Sequence, residues 1–329
     1  MVVKLTEQYG DKELASILAA AKEVPETRYV AVNLLRAQME KWLTQKKDVG
    51  DVFRYLKLDE AKYDLLASPV LTRWMAFVDR SYQKSYDVLN GHLSRFDDQG
   101  LANFLVGAKG GVAFGRFDYH KVENPILQKW VDAKKSADDV YGLLKLREVE
   151  ASDFMQSPAL ATWLTYVTKV DHRFFNLHHG PYELLYKQLI KQYDDTELAN
   201  ILLGPKGEFW KGFHVYKLDD MILEKWKKSG KSADEVYDLL KLRNVEAKDL
   251  LQNPALVIWM SFVTRLNRRS HHPYAVLYNR LNADLGNSKL VELIRDAKYG
   301  GHTRAMRMAE KLEKEQRIHA ASIAKNVRR

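Results

Sequence analysis

The chain has 329 residues, a mass of 38.1 kDa, no cysteine and a formal charge of +9. Hydrophobic residues make up 46% and charged residues 29%, enough to build a core, which excludes a wholly disordered chain. The absence of cysteine excludes disulfides, zinc fingers, iron–sulfur clusters and thiol catalysis, and no apolar run approaches the ~20 residues of a membrane span.

Taken in chain order, the predicted elements are helices. Residues 2–18 (VVKLTEQYGDKELASIL) parallel residues 186–202 (YKQLIKQYDDTELANIL). Val2–Tyr9 therefore reads as the end of an earlier helix, and further repeats are expected to precede Met1. In the next helix, Leu14, Ile17, Leu18 and Ala21 form one apolar stripe. A second helix places Val32, Leu35, Met39 and Trp42 on one face. Asp48 with Asp51 marks a third start, and Ser68-Pro69 a fourth, ahead of Trp74. Tyr86-Leu89-Leu93 closes the series.

The series then repeats. QGLANFLVGAK (99–109) leads to Trp130, to a capping box of Ser136 and Asp139, to Ser157-Pro158 before Trp163, and to Tyr182-Leu185-Leu189. TELANILLGPK (196–206) leads to Trp226, to a second box of Ser232 and Glu235, to Asn253-Pro254 before Trp259, and to Tyr274-Leu277-Leu281. Pro181 and Pro273 stand ahead of two of the Tyr helices. SKLVELIRDAK (288–298) opens a fourth copy, but position 318, where its tryptophan is due, is Ile. The stretches starting at Lys129 and Lys225 align without a gap, with 24 identities.

Trp42, Trp130 and Trp226 are 88 and 96 residues apart, too far for tetratricopeptide or HEAT repeats of about 34 to 47 residues. The predicted fold is all-α, with about five helices per unit. The expected units are 10–97, 98–194 and 195–286. Residues 1–9 end a preceding unit, and 287–329 form a truncated unit with a basic helical tail. Trp42, Trp74, Tyr86, Trp130, Trp163, Tyr182, Trp226, Trp259 and Tyr274 are expected in the core. Tyr9, Phe96, Tyr193 and Leu285 each sit five residues before the first stripe leucine of the next unit. They are expected to act as apolar staples at the joins.

A Leu-rich helix, a Trp segment and a Tyr segment recurring at about 90 residues resembles the tandem LWY units of oomycete RXLR effectors. The resemblance covers nearly the whole chain, and the three motifs recur in register three times. It implies bundles joined end to end in an elongated array, secretion by a plant pathogen, and action in the host cytoplasm or nucleus. The signal peptide and RXLR motif of such proteins are absent, as expected of the C-terminal part of a longer chain. Some tandem LWY effectors recruit the scaffold subunit of the host type 2A serine/threonine phosphatase, and some suppress RNA silencing. The resemblance thus implies a monomeric, non-enzymatic scaffold with no membrane span, which binds a host protein. Direct RNA binding is the alternative.

No other motif supports catalysis, a cofactor or a metal. His178-His179 and His271-His272 lack further ligands at fixed spacing and read as surface loops. Gly110-Gly111 and Gly204-Pro205-Lys206-Gly207 lack a phosphate-loop pattern and read as turns. Asp138-Asp139 reads as a helix first turn. Residues 284–329 carry eleven Lys or Arg against six Asp or Glu, so +5 of the +9 lies there. That stretch has one aromatic residue, Tyr299, whereas a nucleic-acid face would interleave several. Function is expected where the units differ. The segments 110–128 and 207–224 supply Phe114, Phe117 and Tyr119, and Phe209, Trp210, Phe213 and Tyr216, with Arg116 and Lys211 as rim charges. These nine residues are the candidate partner surface.

Overall fold

The computed structural model describes residues 1–60, 65, 70–81, 83–110, 118–170, 180–205, 216–266 and 273–327. Among them every regular element is helical. The first repeat holds α1 (Val2–Glu23), α2 (Pro25–Thr44), α3 (Val49–Tyr55), α4 (Leu71–Arg80) and α5 (Ser85–Leu93). The second holds α6 (Asp98–Gly110), α7 (His120–Asp132), α8 (Ala137–Leu143), α9 (Pro158–Val170) and α10 (Gly180–Gln192). The third holds α11 (Asp195–Leu203), α12 (Tyr216–Lys228), α13 (Ala233–Leu239), α14 (Ala247–Leu250), α15 (Pro254–Leu266) and the start of α16 (Pro273–Tyr299). The end of α16 and α17 (Thr303–Val327) form the tail.

The helices gather into two compact bodies. One is Met1–Glu148 with Ser157–His172, and the other is Val149–Gln156 with Arg173–Arg329. The division falls inside the middle repeat rather than between repeats. Within the second body, the Tyr193 hydroxyl donates to the Val149 carbonyl, and its ring meets Phe154 edge-on at 5.7 Å. Those contacts tie residues 149–156 to the end of α10.

Helix ends follow from local chemistry. Ser136 with Asp139 and Ser232 with Glu235 form reciprocal capping boxes. Asp194 and Glu197 form a third at the start of α11. Asp48 caps α3 by accepting from Gly50 and Asp51 N–H. Asn253 accepts from Ala255 N–H at 2.9 Å, whereas Ser68-Pro69 lies outside the described residues. The three Trp-bearing second helices stop alike. Lys46, Lys134 and Gly230 turn left-handed, with φ of 50°, 54° and 80°. The next residue then bonds back to the tryptophan carbonyl: Lys47 to Trp42, Lys135 to Trp130 and Lys231 to Trp226, at 2.9–3.1 Å.

Trp42, Trp74, Trp130, Trp163, Trp226 and Trp259 are each 0% exposed. On α2 the buried stripe is Ala31, Leu35, Gln38 and Trp42. Val32 and Met39, expected on that face, are only half-buried at its edge. Gln38 displaces them because its amide donates to the Asp11 carbonyl at 3.0 Å. Ile17, expected on the α1 stripe, is 42% exposed, while Leu14 and Leu18 are buried.

Candidate functional site

Each buried indole has a defined acceptor, and the acceptors repeat. The second tryptophan of each repeat donates to a carbonyl in the first turn of the short third helix. Trp74 reaches Val49 at 2.9 Å, Trp163 reaches Ala137 at 2.8 Å and Trp259 reaches Ala233 at 2.7 Å. The first tryptophan donates instead to a carboxylate that opens the repeat: Trp42 to Asp11 at 2.8 Å, Trp130 to Asp98 at 3.0 Å and Trp226 to Asp195 at 2.8 Å.

A lysine completes each of these nodes. Lys47, Lys135 and Lys231 lie 3.8, 2.9 and 2.9 Å from Asp11, Asp98 and Asp195. Lys129 and Lys225 add a second ammonium to the latter two. Burial opposes ionisation of Asp98, but hydrogen bonds from Lys135 and Trp130 outweigh it and hold the carboxyl below its ordinary range. At Asp195 burial is likewise outweighed, by Lys225, Lys231 and Trp226. The aspartates were legible only as a step between repeats. Their offset of 31 or 32 residues from the tryptophan is the signal in the sequence that could have found them.

The landmark tyrosines take two kinds of place. Tyr182 is buried, while Tyr86 and Tyr274 are half-buried. Tyr86 reaches across a repeat boundary within the first body, where its hydroxyl accepts from Asp118 N–H at 2.7 Å. The Lys121 ammonium lies 5.0 Å from the Tyr86 ring, and in the second body Lys217 lies 5.9 Å from the Tyr182 ring. These two lysines hold equivalent positions, so the Tyr helix meets the second helix of the following repeat in the same way. Of the residues expected at the joins, Tyr193 is buried, Phe96 and Leu285 are half-buried, and Tyr9 is 45% exposed.

Of the candidate partner surface, Phe114, Arg116, Phe117, Phe209, Trp210, Lys211 and Phe213 lie outside the described residues. Tyr119 is half-buried and turned inward, its hydroxyl donating to the Leu105 carbonyl at 3.2 Å. Burial, with the nearby Glu123 carboxylate, pushes its pKa up. Tyr216, at the start of α12, is 58% exposed. The paired histidines also lie outside the described residues. Among those described, no group of three His, Asp or Glu is placed to hold a metal, and no helix is long and apolar enough to cross a membrane.

This architecture defines a class, an all-α protein of helical repeats whose buried tryptophans recur with the same acceptors. No family model matches the chain. It is 26% identical over 304 residues to RxLR effector protein PSR2 of Phytophthora sojae, covering 91% of this chain and 44% of that one. It is 28% identical over 263 residues to RxLR effector protein CRE15 of Phytophthora infestans, covering 78% of this chain and 71% of that one. The crystal structure of PcRxLR12 superposes with a TM-score of 0.56 at 26% identity, over 96% of this chain and 75% of that one. The homologues of this chain are thus RxLR effectors over most of its length. The chain spans less than half the length of PSR2.

Proposed function

We propose that this chain is a non-catalytic virulence scaffold, built of LWY units 10–97, 98–194 and 195–286, that docks on a host protein. The proposed target is the scaffold subunit of the type 2A serine/threonine phosphatase, with altered immunity or RNA silencing as the outcome. The setting is the host cytoplasm or nucleus, reached by secretion and translocation as for RxLR effectors. The observation that supports this reading is the division of labour between residues. The repeats share their buried tryptophans and the part-buried nodes that hold them, and their sequences differ elsewhere. A partner that binds one place on such an array must read the differences.

Direct RNA binding by the tail is the weaker reading. Glu313 takes both Lys298 at 2.9 Å and Arg317 at 3.1 Å, so part of the basic face is neutralised from within. The experiment is titration calorimetry of the chain with purified phosphatase scaffold subunit, beside a salt titration with single-stranded RNA. Saturable binding of the subunit is expected, with RNA binding absent or weak. No heat with the subunit, and RNA affinity falling steeply with salt, overturns the proposal.

A further inference from the structure

The first repeat carries a groove beside its second helix. It lies between α2 and α4, has a volume of about 280 Å³ and is floored by Val32, Met39 and Ala76. Arg36, Arg73 and Arg80 surround that floor. A single carboxylate, Glu40, stands among them, and Arg80 takes both of its oxygens. Arg73 is half-buried and Arg36 exposed; among the described residues neither makes a hydrogen bond or close ion pair, and the Arg36 charge acts on Glu40 at longer range. Burial and the like charge of Arg36 both depress the Arg73 pKa. Holding the half-buried Arg73 guanidinium beside Arg36 therefore costs free energy in the unliganded protein.

The same places in the other repeats are relieved of that cost. Counted from the tryptophans, Arg36 corresponds to Asn124 and Asp220, Arg73 to Thr162 and Ile258, and Arg80 to Lys169 and Arg265. In the third repeat Asp220 and Arg265 pair with each other. In the second, Thr162 is fully buried and its hydroxyl bonds the Pro158 carbonyl. Helix packing therefore has no need of arginine at the Arg36 and Arg73 positions.

We infer that the α2–α4 groove of the first repeat is a docking site for an acidic amphipathic helix of a host protein, whose carboxylates pair with Arg36 and Arg73. Apolar side chains of that helix lie on Val32, Met39 and Ala76. The inference rests on the host-protein reading above and names the place and chemistry of contact. Three guanidiniums around one carboxylate leave a net positive groove. Each planar guanidinium can grip a carboxylate through two parallel hydrogen bonds. An RNA strand fits less well, because the floor offers no aromatic ring for base stacking and Glu40 would face the phosphates.

The test is fluorescence anisotropy with a labelled amphipathic Glu/Leu helical peptide, its Gln/Leu counterpart and a uridine-rich single-stranded RNA. The wild-type chain should bind the Glu peptide best, and less tightly as salt rises. The Arg36→Asp, Arg73→Ile double variant, which borrows the residues of the third repeat, should lose about tenfold or more in affinity for it. Its melting temperature should be unchanged. If that variant unfolds, the exposed single change Arg36→Gln gives the same readout at lower amplitude. Equal peptide binding by wild type and variant overturns the inference, as does a loss confined to the RNA. Capture from host lysate separates the two claims. A wild-type chain that captures no host protein defeats the host-protein reading itself. Equal capture of one identified partner by wild type and double variant defeats only the groove.

Discussion

Trp226 and Ile318 hold corresponding positions, 28 residues after Leu198 and Leu290, yet Trp226 is 0% exposed and Ile318 is 63% exposed. Their acceptors differ in parallel. Asp195, bonded to the Trp226 indole, has Asn287 as its counterpart in the tail, and Asn287 is exposed. The donor, the ring and the charge have thus changed together. A partly buried carboxylate facing two ammoniums and an indole N–H is stable as a set. The same carboxylate without its donors would be left with its desolvation cost. The node therefore marks a repeat that closes around a tryptophan, and the tail shows what the same two helices become without one.

The largest test of that contrast is truncation at the two places. Trp226→Ala should destabilise its bundle by about 3–5 kcal/mol, since it removes a fully buried ring and leaves Asp195 short of a donor. Ile318→Ala should change stability by no more than about 0.5 kcal/mol. Urea unfolding followed by circular dichroism compares the two, and similar losses would mean that the tail closes as the other repeats do. Asp195→Ala comes next, at about 2 kcal/mol, the usual scale for a hydrogen-bonded charged group. Its pH dependence has a definite sign. The Asp195 pKa is lowered in the folded state, so its contribution is complete above the unfolded value of about 4 and is lost as pH falls through the lower folded value. Asp195→Asn should flatten that acid limb. An acid limb that coincides with the wild-type one would remove Asp195 as its origin.

Much of the interior was legible because it obeys helical period and capping rules. The six tryptophans, the two capping boxes and the Asn253 cap all rest on residues within a few positions of one another. The nodes were harder to see, because Asp11 and Trp42 are 31 residues apart and their link is a single hydrogen bond. Spacing gives the helix on which each lies, but not which aspartate faces which ring. Tyr86 was legible as an apolar landmark, but its hydroxyl reaches the next repeat, which a periodic stripe cannot report. The arginine groove was hidden for a different reason. Arg36 and Arg73 lie on separate helices, and each read alone is an ordinary surface cation.

The smallest predicted effect concerns the step that opens each repeat. Gly10 and Gly286 lie inside α1 and α16 with φ of 77° at both, where an L side chain is strained. Asp194 at the matching place reaches a similar ψ of 179° with φ at −74°, and its side chain caps α11. A single rotation about φ therefore separates the glycine step from the aspartate step. Nothing lies within 4 Å of a Cβ built on Gly286, so space is not the obstacle. Gly286→Ala meets only the backbone cost, whereas Gly286→Asp can swing to the extended conformation and supply a cap to the helix that follows. The aspartate variant should be the more stable of the two by about 1 kcal/mol, the usual value of an N-cap. Thermal melts of the pair decide it. An alanine variant as stable as the aspartate one would mean that the tail helix, lacking its tryptophan, no longer depends on how it is started.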